Sequence, residues 1–315
     1  SAVFFAKENA GEDIAKICIA CAGKGEGEGI VASNKDYANI YFLGIGGIGM
    51  SALARFFKQR GNSVCGYDHT PSPLTRQLES EGITVHYDDN PNLIPADTDL
   101  CVYTPAVPAD MAELVWFRKK GFTIKKRSQD LGDITRMHKA LCVAGTHGKT
   151  TTSTMLAHIL HHSSLDCNAF LGGISKNFNS NLNLSDKSEF VVVEADEFDR
   201  SFLTLSPQMA VITAVDADRL DIYGTEAAYR QGFVEFTSLV KPNGVLLMKE
   251  GLPIQPSTQS SVHHYTYSIG SGDFHAANIL IGDGEITFDF VTPTQIISGI
   301  RLGVPVYVNI ENGIA

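Results

Sequence analysis

Short apolar runs alternate with longer segments of helical period along most of the chain after residue 38. The runs have the length and composition of buried strands, and the segments between them place apolar residues on one face of a helix. The predicted strands are Ile40–Leu43, Ser63–Tyr67, Ile83–Val85, Leu100–Tyr103, Phe122–Ile124, Ala140–Ala144, Phe170–Ser175, Phe190–Val193, Met209–Thr213 and Val245–Met248, and the predicted helices are Met50–Arg60, Met111–Lys120, Ser128–His138, Thr151–His161 and Ala227–Val240. Such alternation predicts an α/β fold with parallel sheets that helices cover on both faces.

From Tyr265 onward the pattern changes to stretches in which polar and apolar residues alternate. A period of two is typical of strands with one buried face, which indicates a small antiparallel subsheet. Its predicted strands are His264–Ser268, Ala277–Ile281, Glu285–Phe290 and Arg301–Val308. The last residues, Asn309–Ala315, are expected to begin a helix.

The first glycine-rich turn, Gly44-Ile45-Gly46-Gly47-Ile48-Gly49, lies between a predicted strand and a predicted helix. Glycines there let the backbone approach a diphosphate, and the helix N-terminus favours its charge. Asp68 ends the next strand, where an acid can accept a hydrogen bond from a ribose hydroxyl or a base N–H. The unit predicts diphosphate binding; the alternative is a tight turn that only packs strand against helix.

The second glycine-rich turn comprises Gly145, Thr146, His147, Gly148, Lys149, Thr150 and Thr151. It also joins a predicted strand to a helix, so its backbone N–H groups can cradle phosphates while Lys149 reaches the terminal ones and Thr150 offers an oxygen to Mg²⁺. The general P-loop pattern is incomplete, because its first glycine falls on Val143. We predict an ATP site; the alternative is a polar helix cap.

Three acids follow the predicted strand Phe190–Val193, in the order Glu194-Ala195-Asp196-Glu197. An acid at the carboxyl end of a buried strand is where a P-loop enzyme places the carboxylate that orients Mg²⁺. We therefore predict a metal role for Glu194, although a solvated acidic loop would have the same composition.

The two phosphate turns belong to two successive α/β domains, 39–137 and 138–315, after an extension or linker over residues 1–38. With 43% hydrophobic and 19% charged residues, the 315-residue chain has the composition of a soluble globular protein. A net charge of −10 argues against a nucleic-acid partner. No apolar run is long enough to span a membrane, and the N-terminus lacks the basic region of a signal peptide. Oligomeric state is not predicted.

The six cysteines are scattered, and several lie in apolar runs where a thiol is a small buried hydrophobe. Cys18-x-x-Cys21 has the spacing of a redox or zinc motif, but no second Cys or His pair accompanies it. We expect a reducing compartment, the cytoplasm.

Four motifs occur in a characteristic order: GIGGIGMS at Gly44–Ser51, GTHGKTTT at Gly145–Thr152, EADEFD at Glu194–Asp199 and N-x-x-N at Asn309–Asn312. Together they resemble the Mur ligases, the ATP-dependent ligases that build the peptide stem of the bacterial cell wall. The resemblance covers residues 39–315 and favours the members of the family that add L-alanine.

The resemblance implies a Rossmann-like UDP-sugar domain, a P-loop ATPase-like domain and a third, C-terminal ligase domain that is expected to be missing from this chain. Lys149 and Glu194 would be catalytic, Thr150 and Glu194 would hold Mg²⁺, and the loop 170–183 would lie toward the sugar. The implied UDP-sugar residues are Gly46, Gly47, Ile48, Gly49, Asp68, Thr104, Pro105, Ala106 and Val107; the implied ATP residues are Gly145, Thr146, His147, Gly148, Lys149, Thr150 and Thr151, with Asn309 and Asn312 at the adenine.

The reaction that the resemblance implies uses ATP to convert the carboxylate of UDP-N-acetylmuramate to an acyl phosphate, which the amine of L-alanine attacks. Arg219 stands where the family has a histidine that helps to bind a second metal, and a guanidinium cannot ligate a cation, so we expect one working Mg²⁺ site.

Three alternatives stay open. The chain alone is expected to be an inactive fragment, which makes it a module that binds UDP-sugar and ATP without turnover. The murein tripeptide recycling ligase shares both glycine-rich turns. A nicotinamide dehydrogenase would use the first turn but leaves the second unexplained.

Overall fold

The computed structural model describes residues 4–5, 37–175, 178, 180–217, 220–282, 284–303 and 306–315. They form two compact units, which we call the N-terminal unit (residues 37–134) and the C-terminal unit (residues 135–315 with the two-residue strand β1, Phe4–Phe5). Cys18, Cys21, Asp218 and Arg219 lie outside the described residues. Among the described residues, no helix has the length and hydropathy that crossing a membrane requires.

The N-terminal unit is built on a five-stranded, fully parallel sheet with the order β4-β3-β2-β5-β6. Its elements in chain order are β2 (Asn39–Leu43), α1 (Ile48–Gln59), β3 (Ser63–Tyr67), α2 (Pro73–Ser80), β4 (Thr84–His86), a 3-10 turn (Pro91–Leu93), β5 (Leu100–Tyr103), α3 (Ala112–Lys120), β6 (Thr123–Lys126) and α4 (Arg127–Met137), which leads into the next unit. The predicted parallel α/β fold is confirmed, with most ends shifted by one or two residues.

Helix α2 is a short element that the hydrophobic pattern did not predict. Pro73 occupies its first turn, and the Ser72 hydroxyl accepts a hydrogen bond from the backbone N–H of Thr75. The Thr75 hydroxyl in turn accepts from the Ser72 N–H. The Ser-Pro-x-Thr sequence at its start is therefore the signal that could have found it.

The core of the N-terminal unit contains two buried acids in contrasting settings. The Glu113 side chain is fully buried, and its carboxylate accepts hydrogen bonds from the Tyr41 hydroxyl (2.6 Å) and the Asn90 N–H (3.1 Å). Burial raises the pKa of Glu113 to about 7 despite these donors. Asp130, in α4, is also fully buried, but neither of its carboxylate oxygens has a hydrogen-bond partner. Burial raises the pKa of Asp130 to about 6, while the positive charge of Lys125 opposes the shift.

The C-terminal unit contains a seven-stranded sheet with the order β13-β12-β11-β7-β10-β8-β9, in which only β9 is antiparallel to its neighbour. Its elements are β7 (Lys139–Ala144), α5 (Lys149–His161), β8 (Asn168–Ser175), β9 (Ser180–Asn183), β10 (Phe190–Ala195), a 3-10 segment (Phe198–Thr204), β11 (Met209–Ile212), α6 (Leu220–Tyr223), α7 (Glu226–Ser238), β12 (Val245–Lys249) and β13 (His263–Tyr267). The polar segment before Asn183, predicted as a loop, contains strand β9.

The predicted antiparallel subsheet is confirmed, but its membership is corrected. The sheet has the order β1-β16-β15-β14 with β14 (His275–Gly282), β15 (Glu285–Val291) and β16 (Ile296–Leu302), and helix α8 (Val308–Ile314) follows. The run predicted at 264–268 instead forms β13, a parallel edge strand of the large sheet. Period-two alternation reports a half-buried strand but not its partner, which explains the error.

The last predicted strand, over 301–308, is also wrong, because the chain pairs at Ile296–Leu302 instead. An irregularity between Phe288 and Phe290 shifts the register of β15 against β16. Opposite it, Gly299 has φ +75° and donates its N–H to the Asp289 carboxylate at 2.9 Å. A bulge of this kind interrupts the alternation, so the sequence pattern concealed the strand.

Candidate functional site

The loop from 145 to 148 connects buried strand β7 to helix α5. Gly145 and Gly148 have φ +142° and +84°, a region that favours glycine. A Cβ on Gly145 would lie 2.1 Å from the Thr213 hydroxyl oxygen, so only glycine fits there. Val143, where the general P-loop pattern has its first glycine, is fully buried within β7. The strand therefore extends through that position and the turn begins at Gly145.

Lys149 opens helix α5, and its ammonium points back across the loop. Its Nζ donates to the Gly145 carbonyl at 2.6 Å and to Glu197 Oε2 at 2.8 Å. Glu197 is only 4% exposed, so this ion pair is largely shielded from water. Glu197 follows Glu194 in the same acidic segment, but no role was predicted for it from the sequence.

The Thr150 hydroxyl and the Glu194 carboxylate meet at the carboxyl end of the sheet. Thr150 Oγ1 donates to Glu194 Oε1 at 2.9 Å, and the Gly172 N–H donates to Oε2 at 2.8 Å. A Cβ on Gly172 would come within 2.4 Å of this carboxylate, so a glycine makes room for it. Glu194 lies within strand β10 rather than after it, one residue before the strand ends.

The oxygens of Thr150 and Glu194 fit Mg²⁺ as ligands, because Mg²⁺ prefers oxygen ligands, keeps several waters and uses few protein groups. The part of the chain that the structure describes has no group of three or more His, Cys, Asp or Glu side chains that could hold a metal. A site completed by protein carboxylates alone is therefore not formed by the described residues, whereas a site shared with nucleotide phosphates matches the donor set.

Helix α8 brings Asn309 and Asn312 to the loop 145–148 and the first turn of α5, which together we call the P-loop (residues 145–150). A Cβ on Gly148 would lie 2.7 Å from Asn312 Oδ1, and the Asn312 carbonyl accepts from the Thr152 hydroxyl at 3.3 Å. The amide of Asn312 also donates to Asn309 Oδ1 at 3.4 Å. The two predicted adenine residues thus lie beside the first turn of α5.

Thr146 and His147 form the opposite side of the loop. Thr146 Oγ1 donates to the Asp216 carbonyl at 2.9 Å and lies 3.3 Å from the Tyr229 hydroxyl. The His147 ring is exposed, with Nε2 3.9 Å from the Asp216 carboxylate. Neutral hydrogen bonds therefore hold Thr146 in place, whereas the His147 ring is open to solvent.

In the N-terminal unit, the glycine turn wraps the end of strand β3. The N–H groups of Gly44 and Ile45 donate to the Tyr67 carbonyl at 2.8 and 3.0 Å, and the Gly46 N–H donates to Asp68 Oδ2 at 2.7 Å. Gly47, the N-cap of α1, offers no side-chain cap. The predicted turn ends earlier than expected, because Ile48 and Gly49 already belong to the helix.

The loop after β5 reaches this turn from the other side. A Cβ on Gly44 would lie 2.8 Å from Thr104 Cγ2 and 3.6 Å from Val107 Cγ2. Pro105 and Ala106 are exposed in the same loop. The structure therefore brings Thr104 and Val107 to the glycine turn, and the two residues between them lie at the surface.

Arg127 is a basic residue beside the glycine turn that the sequence pattern did not predict. A Cβ on Gly49 would lie 2.8 Å from Arg127 Nη1 and 3.3 Å from its Cζ, so the guanidinium lies across the first turn of α1. The last glycine of the turn therefore makes room for an arginine. No local signal marks Arg127, because it follows a different strand.

Comparison with known proteins decides the family. The profile of the Mur ligase family catalytic domain matches residues 39–139, and that of the Mur ligase middle domain matches residues 143–315. The chain belongs to the Mur ligase family. Both glycine-rich turns lie inside the matched regions of this Mur ligase.

Two curated relatives of this Mur ligase chain are UDP-N-acetylmuramate–L-alanine ligases. The protein from Phocaeicola vulgatus is 58% identical over 283 residues, which are 88% of this chain and 62% of the relative. The protein from Parabacteroides distasonis is 59% identical over 283 residues, 88% of this chain and 61% of the relative. The chain thus spans about three fifths of the length of these relatives.

Two solved Mur ligase structures resemble the fold. The UDP-N-acetylmuramate:L-alanyl-gamma-D-glutamyl-meso-diaminopimelate ligase from Neisseria meningitides has a TM-score of 0.75 at 25% identity and covers 88% of this chain and 91% of its own. The UDP-N-acetylmuramate-alanine ligase from Thermotoga maritima has a TM-score of 0.73 at 28% identity and covers 87% of this chain and 62% of its own.

Proposed function

We propose that this chain carries the UDP-sugar-binding and ATP-binding parts of an ATP-dependent ligase that adds L-alanine to UDP-N-acetylmuramate in cytoplasmic peptidoglycan synthesis. The observation that carries the proposal is the convergence of Lys149, Thr150 and Glu194 at the carboxyl ends of β7 and β10. The names of the relatives at 58% and 59% identity support the choice of amino acid and acceptor.

The proposed ATP site is the loop from Gly145 to Thr151. Its backbone N–H groups and the N-terminus of α5 would receive the phosphates, and Lys149 would contact the β- and γ-phosphates. Asn309 and Asn312, which lie beside the same helix turn, would bind the adenine. The domain that carries this site is assigned to residues 138–315.

Thr150 and Glu194 would hold Mg²⁺ through their oxygens. When bound, Mg²⁺ supplies positive charge that offsets the charge on the phosphoryl oxygens. The Gly172 N–H and the Thr150 hydroxyl fix the two oxygens of the Glu194 carboxylate, so this ligand is oriented before nucleotide arrives.

The proposed UDP-sugar site lies in residues 39–137, on Gly46, Gly47, Ile48 and Gly49. Asp68 would accept from the uridine end, Thr104, Pro105 and Ala106 would line the pocket, and the Arg127 guanidinium supplies the positive charge that the turn itself lacks. Asp68 holds the turn through Gly46 N–H, so the carboxylate orients the backbone that approaches the diphosphate.

The residues of this chain explain why an acyl phosphate is the proposed intermediate. A carboxylate is a poor electrophile, and transfer of the γ-phosphoryl group turns it into one that an amine attacks with loss of phosphate. Lys149 would stabilise the charge on the transferring oxygens, which is the main contribution a protein makes to phosphoryl transfer.

The murein tripeptide recycling ligase is the second candidate, because the Neisseria neighbour of TM-score 0.75 is a ligase named for UDP-N-acetylmuramate and the peptide L-alanyl-gamma-D-glutamyl-meso-diaminopimelate. The much higher identity to alanine ligases supports the first candidate. Free tripeptide and L-alanine, offered with UDP-N-acetylmuramate to the enzyme that contains this chain, distinguish the two acceptors by product mass.

Calorimetric titration of this chain with UDP-N-acetylmuramate, ATP with Mg²⁺, and NADH tests the proposal. We expect binding of the first two and none of NADH. Gly47→Val is the probe of the glycine turn: a Cβ at Gly47 meets its nearest atom at 3.5 Å, so the fold tolerates it, but the side chain projects where a diphosphate approaches. Unchanged affinity of Gly47→Val for the UDP-sugar would remove the assignment of the turn.

A further inference from the structure

Glu197 is a buried acid that accepts a hydrogen bond from Lys149, the lysine of the P-loop. We propose that Glu197 is a positioning residue that holds the Lys149 ammonium and competes with nucleotide phosphates for it, so that it sets the affinity for ATP. The inference rests on the proposed ATP site. Its basis is the 2.8 Å contact from Lys149 Nζ to an oxygen of a carboxylate that is almost fully buried.

The backbone of Glu197 is fixed by two donors. Its carbonyl accepts from the Tyr223 hydroxyl at 2.7 Å and from the Arg200 N–H at 3.1 Å. The Tyr223 ring packs edge-on against Tyr229 with centroids 4.9 Å apart, and the Tyr229 hydroxyl lies 3.3 Å from Thr146 Oγ1. The same pair of tyrosines therefore supports Glu197 and the opposite side of the P-loop.

The residues after Glu197 form a strained turn that keeps the acid in place. Asp199 and Arg200 have φ +50° and +56°, and two consecutive non-glycine residues in the left-handed region are costly. The Asp196 carbonyl compensates by accepting from Ser201 Oγ at 2.9 Å and from the Phe202 N–H at 3.0 Å. Arg200 also forms an ion pair with Glu235 on α7. Strain that the surroundings maintain in this way is typical of functional segments.

The two acids of the segment have different partners, which separates their roles. Glu194 accepts from a hydroxyl and a backbone N–H, both neutral, and its charge stays available to a cation. Glu197 accepts from an ammonium, so each neutralises the other. A phosphate that approaches Lys149 must therefore compete with an anion that is already bound, in a shielded setting where charge-assisted hydrogen bonds are strong.

The test is the affinity of Glu197→Gln for ATP, measured by calorimetry at fixed ionic strength with and without Mg²⁺. The amide keeps the shape and one acceptor but removes the competing charge. We expect ATP to bind about tenfold more tightly than to the wild type, because a hydrogen bond to a charged group contributes about 1.5–3 kcal/mol and tenfold corresponds to ~1.4 kcal/mol. Adenosine, which has no phosphate, should bind equally to both proteins.

The matched control lies at the other end of the same two strands. Lys139 Nζ and Glu189 Oε1 form a second Lys–Glu pair at 2.9 Å, where β7 and β10 begin. Glu189→Gln removes a more exposed Lys–Glu pair of similar length, away from the P-loop, and should leave ATP affinity unchanged. Glu197→Asp keeps the charge but withdraws it from Nζ, so a smaller gain than in Glu197→Gln is expected.

The double variant Lys149→Met/Glu197→Gln should bind ATP as weakly as Lys149→Met alone, because Glu197 acts only through the lysine. A Glu197→Gln protein that is folded and binds ATP equally or more weakly than wild type would overturn the inference, as would a gain that persists without Lys149. These results are separable from failure of the proposed function, in which the wild type itself would not bind ATP.

Discussion

The glycine turn at 44–49 and the P-loop at 145–150 both lead from a buried parallel strand into a helix without a side-chain cap, yet they differ in how charge is supplied. The P-loop carries its own cation, Lys149, and the segment after the neighbouring strand β10 provides the acid that binds it. The glycine turn carries no cation; an acid binds its backbone N–H, and Arg127 arrives from a later segment.

This difference follows from where in the sequence the cationic residue lies relative to each turn. In the proposed ATP site, the sequence motif itself carries the charge, because Lys149 opens the helix and would reach the same phosphates as the loop N–H groups. In the glycine turn, the motif provides only glycines, which would let an anion approach the backbone, and no charged side chain. A motif with its own charge is therefore more informative about ligand than one made of glycines alone.

The largest difference between the two loops should appear when a methyl group is added to each. Gly145→Ala places Cβ 2.1 Å from Thr213 Oγ1 at φ +142°, and we expect it to destabilise the C-terminal unit by about 4 kcal/mol or more. Gly47 has φ −64°, and a Cβ added there has no neighbour nearer than 3.5 Å. For Gly47→Ala we therefore expect the free energy of unfolding to change by less than about 1 kcal/mol. Denaturant unfolding checks both. Equal losses would show that the two turns are equally constrained.

Removal of the P-loop cation should affect one ligand only. Lys149→Met is expected to weaken ATP binding about a hundredfold, since it removes charge-assisted bonds worth about 1.5–3 kcal/mol, and to leave UDP binding unchanged. Lys139→Met, which breaks the pair with Glu189, is the control. Calorimetry with each nucleotide measures the effect; loss of UDP affinity in Lys149→Met would contradict the assignment of the two ligands to different turns.

Asp130 of the N-terminal unit differs from the two acids of the candidate site, Glu194 and Glu197, in lacking hydrogen-bond donors. Since the folded-state pKa of Asp130 is raised from 3.8 to about 6, the charged form opposes folding above that pH and the penalty fades as pH falls toward 3.8. Linkage gives about 3 kcal/mol, and because an amide is also polar we expect Asp130→Asn to gain about 2 kcal/mol at pH 8.

The gain from Asp130→Asn should shrink steadily between pH 6 and pH 4, which pH-dependent urea unfolding will show. Asp133 lies in the same helix but is partly exposed and paired with Lys125 at 2.9 Å. Asp133→Asn should therefore give no gain at pH 8. A pH-independent gain in Asp130→Asn would mean that the carboxyl is not charged in the folded protein.

The smallest effect concerns the external cation of the glycine turn. Arg127→Met should reduce UDP affinity about tenfold and leave uridine affinity unchanged, because only the diphosphate needs the charge. Gly49→Ala should have a similar effect, since its Cβ would lie 2.8 Å from Nη1 and displace the guanidinium. If Gly49 acts only by making room for Arg127, the double variant Arg127→Met/Gly49→Ala will bind UDP no more weakly than Arg127→Met. Additive losses would refute that link, and Lys119→Met controls for net charge.

The order of strands and helices was predictable because central parallel strands such as β11 are continuously apolar and helices such as α1 bury one apolar face. Prediction failed where tertiary pairing decided the outcome. Strand β13 has the same alternation as an antiparallel strand but joins the parallel sheet, and the bulge opposite Gly299 hides the period of β16. Helix α2 was missed because it has only eight residues, too few to show a clear helical period, so its capping sequence is the stronger signal.

The residues of the candidate site were predictable only in part for a related reason. Lys149, Thr150 and Glu194 lie within motifs, and the structure brings them together. The role of Glu197 depends on a turn with left-handed φ angles at Asp199 and Arg200, which no local pattern indicates for these residue types. Arg127 depends on space left by Gly49 in a different helix.

Strands β7 and β10 pair residue for residue up to the edge of the site, with Glu194 opposite Val143 and Ala195 opposite Ala144. Side chains alternate between the faces of a sheet, so a slip of one residue in this pairing would turn Glu194 away from Thr150 and exchange it for a hydrophobic neighbour. Deletions or insertions of single residues in β10 should therefore abolish the site even if the sheet re-forms. A length change in the exposed turn at Gly251 would leave that alignment intact, which makes it the suitable position for a fluorescent or affinity insertion.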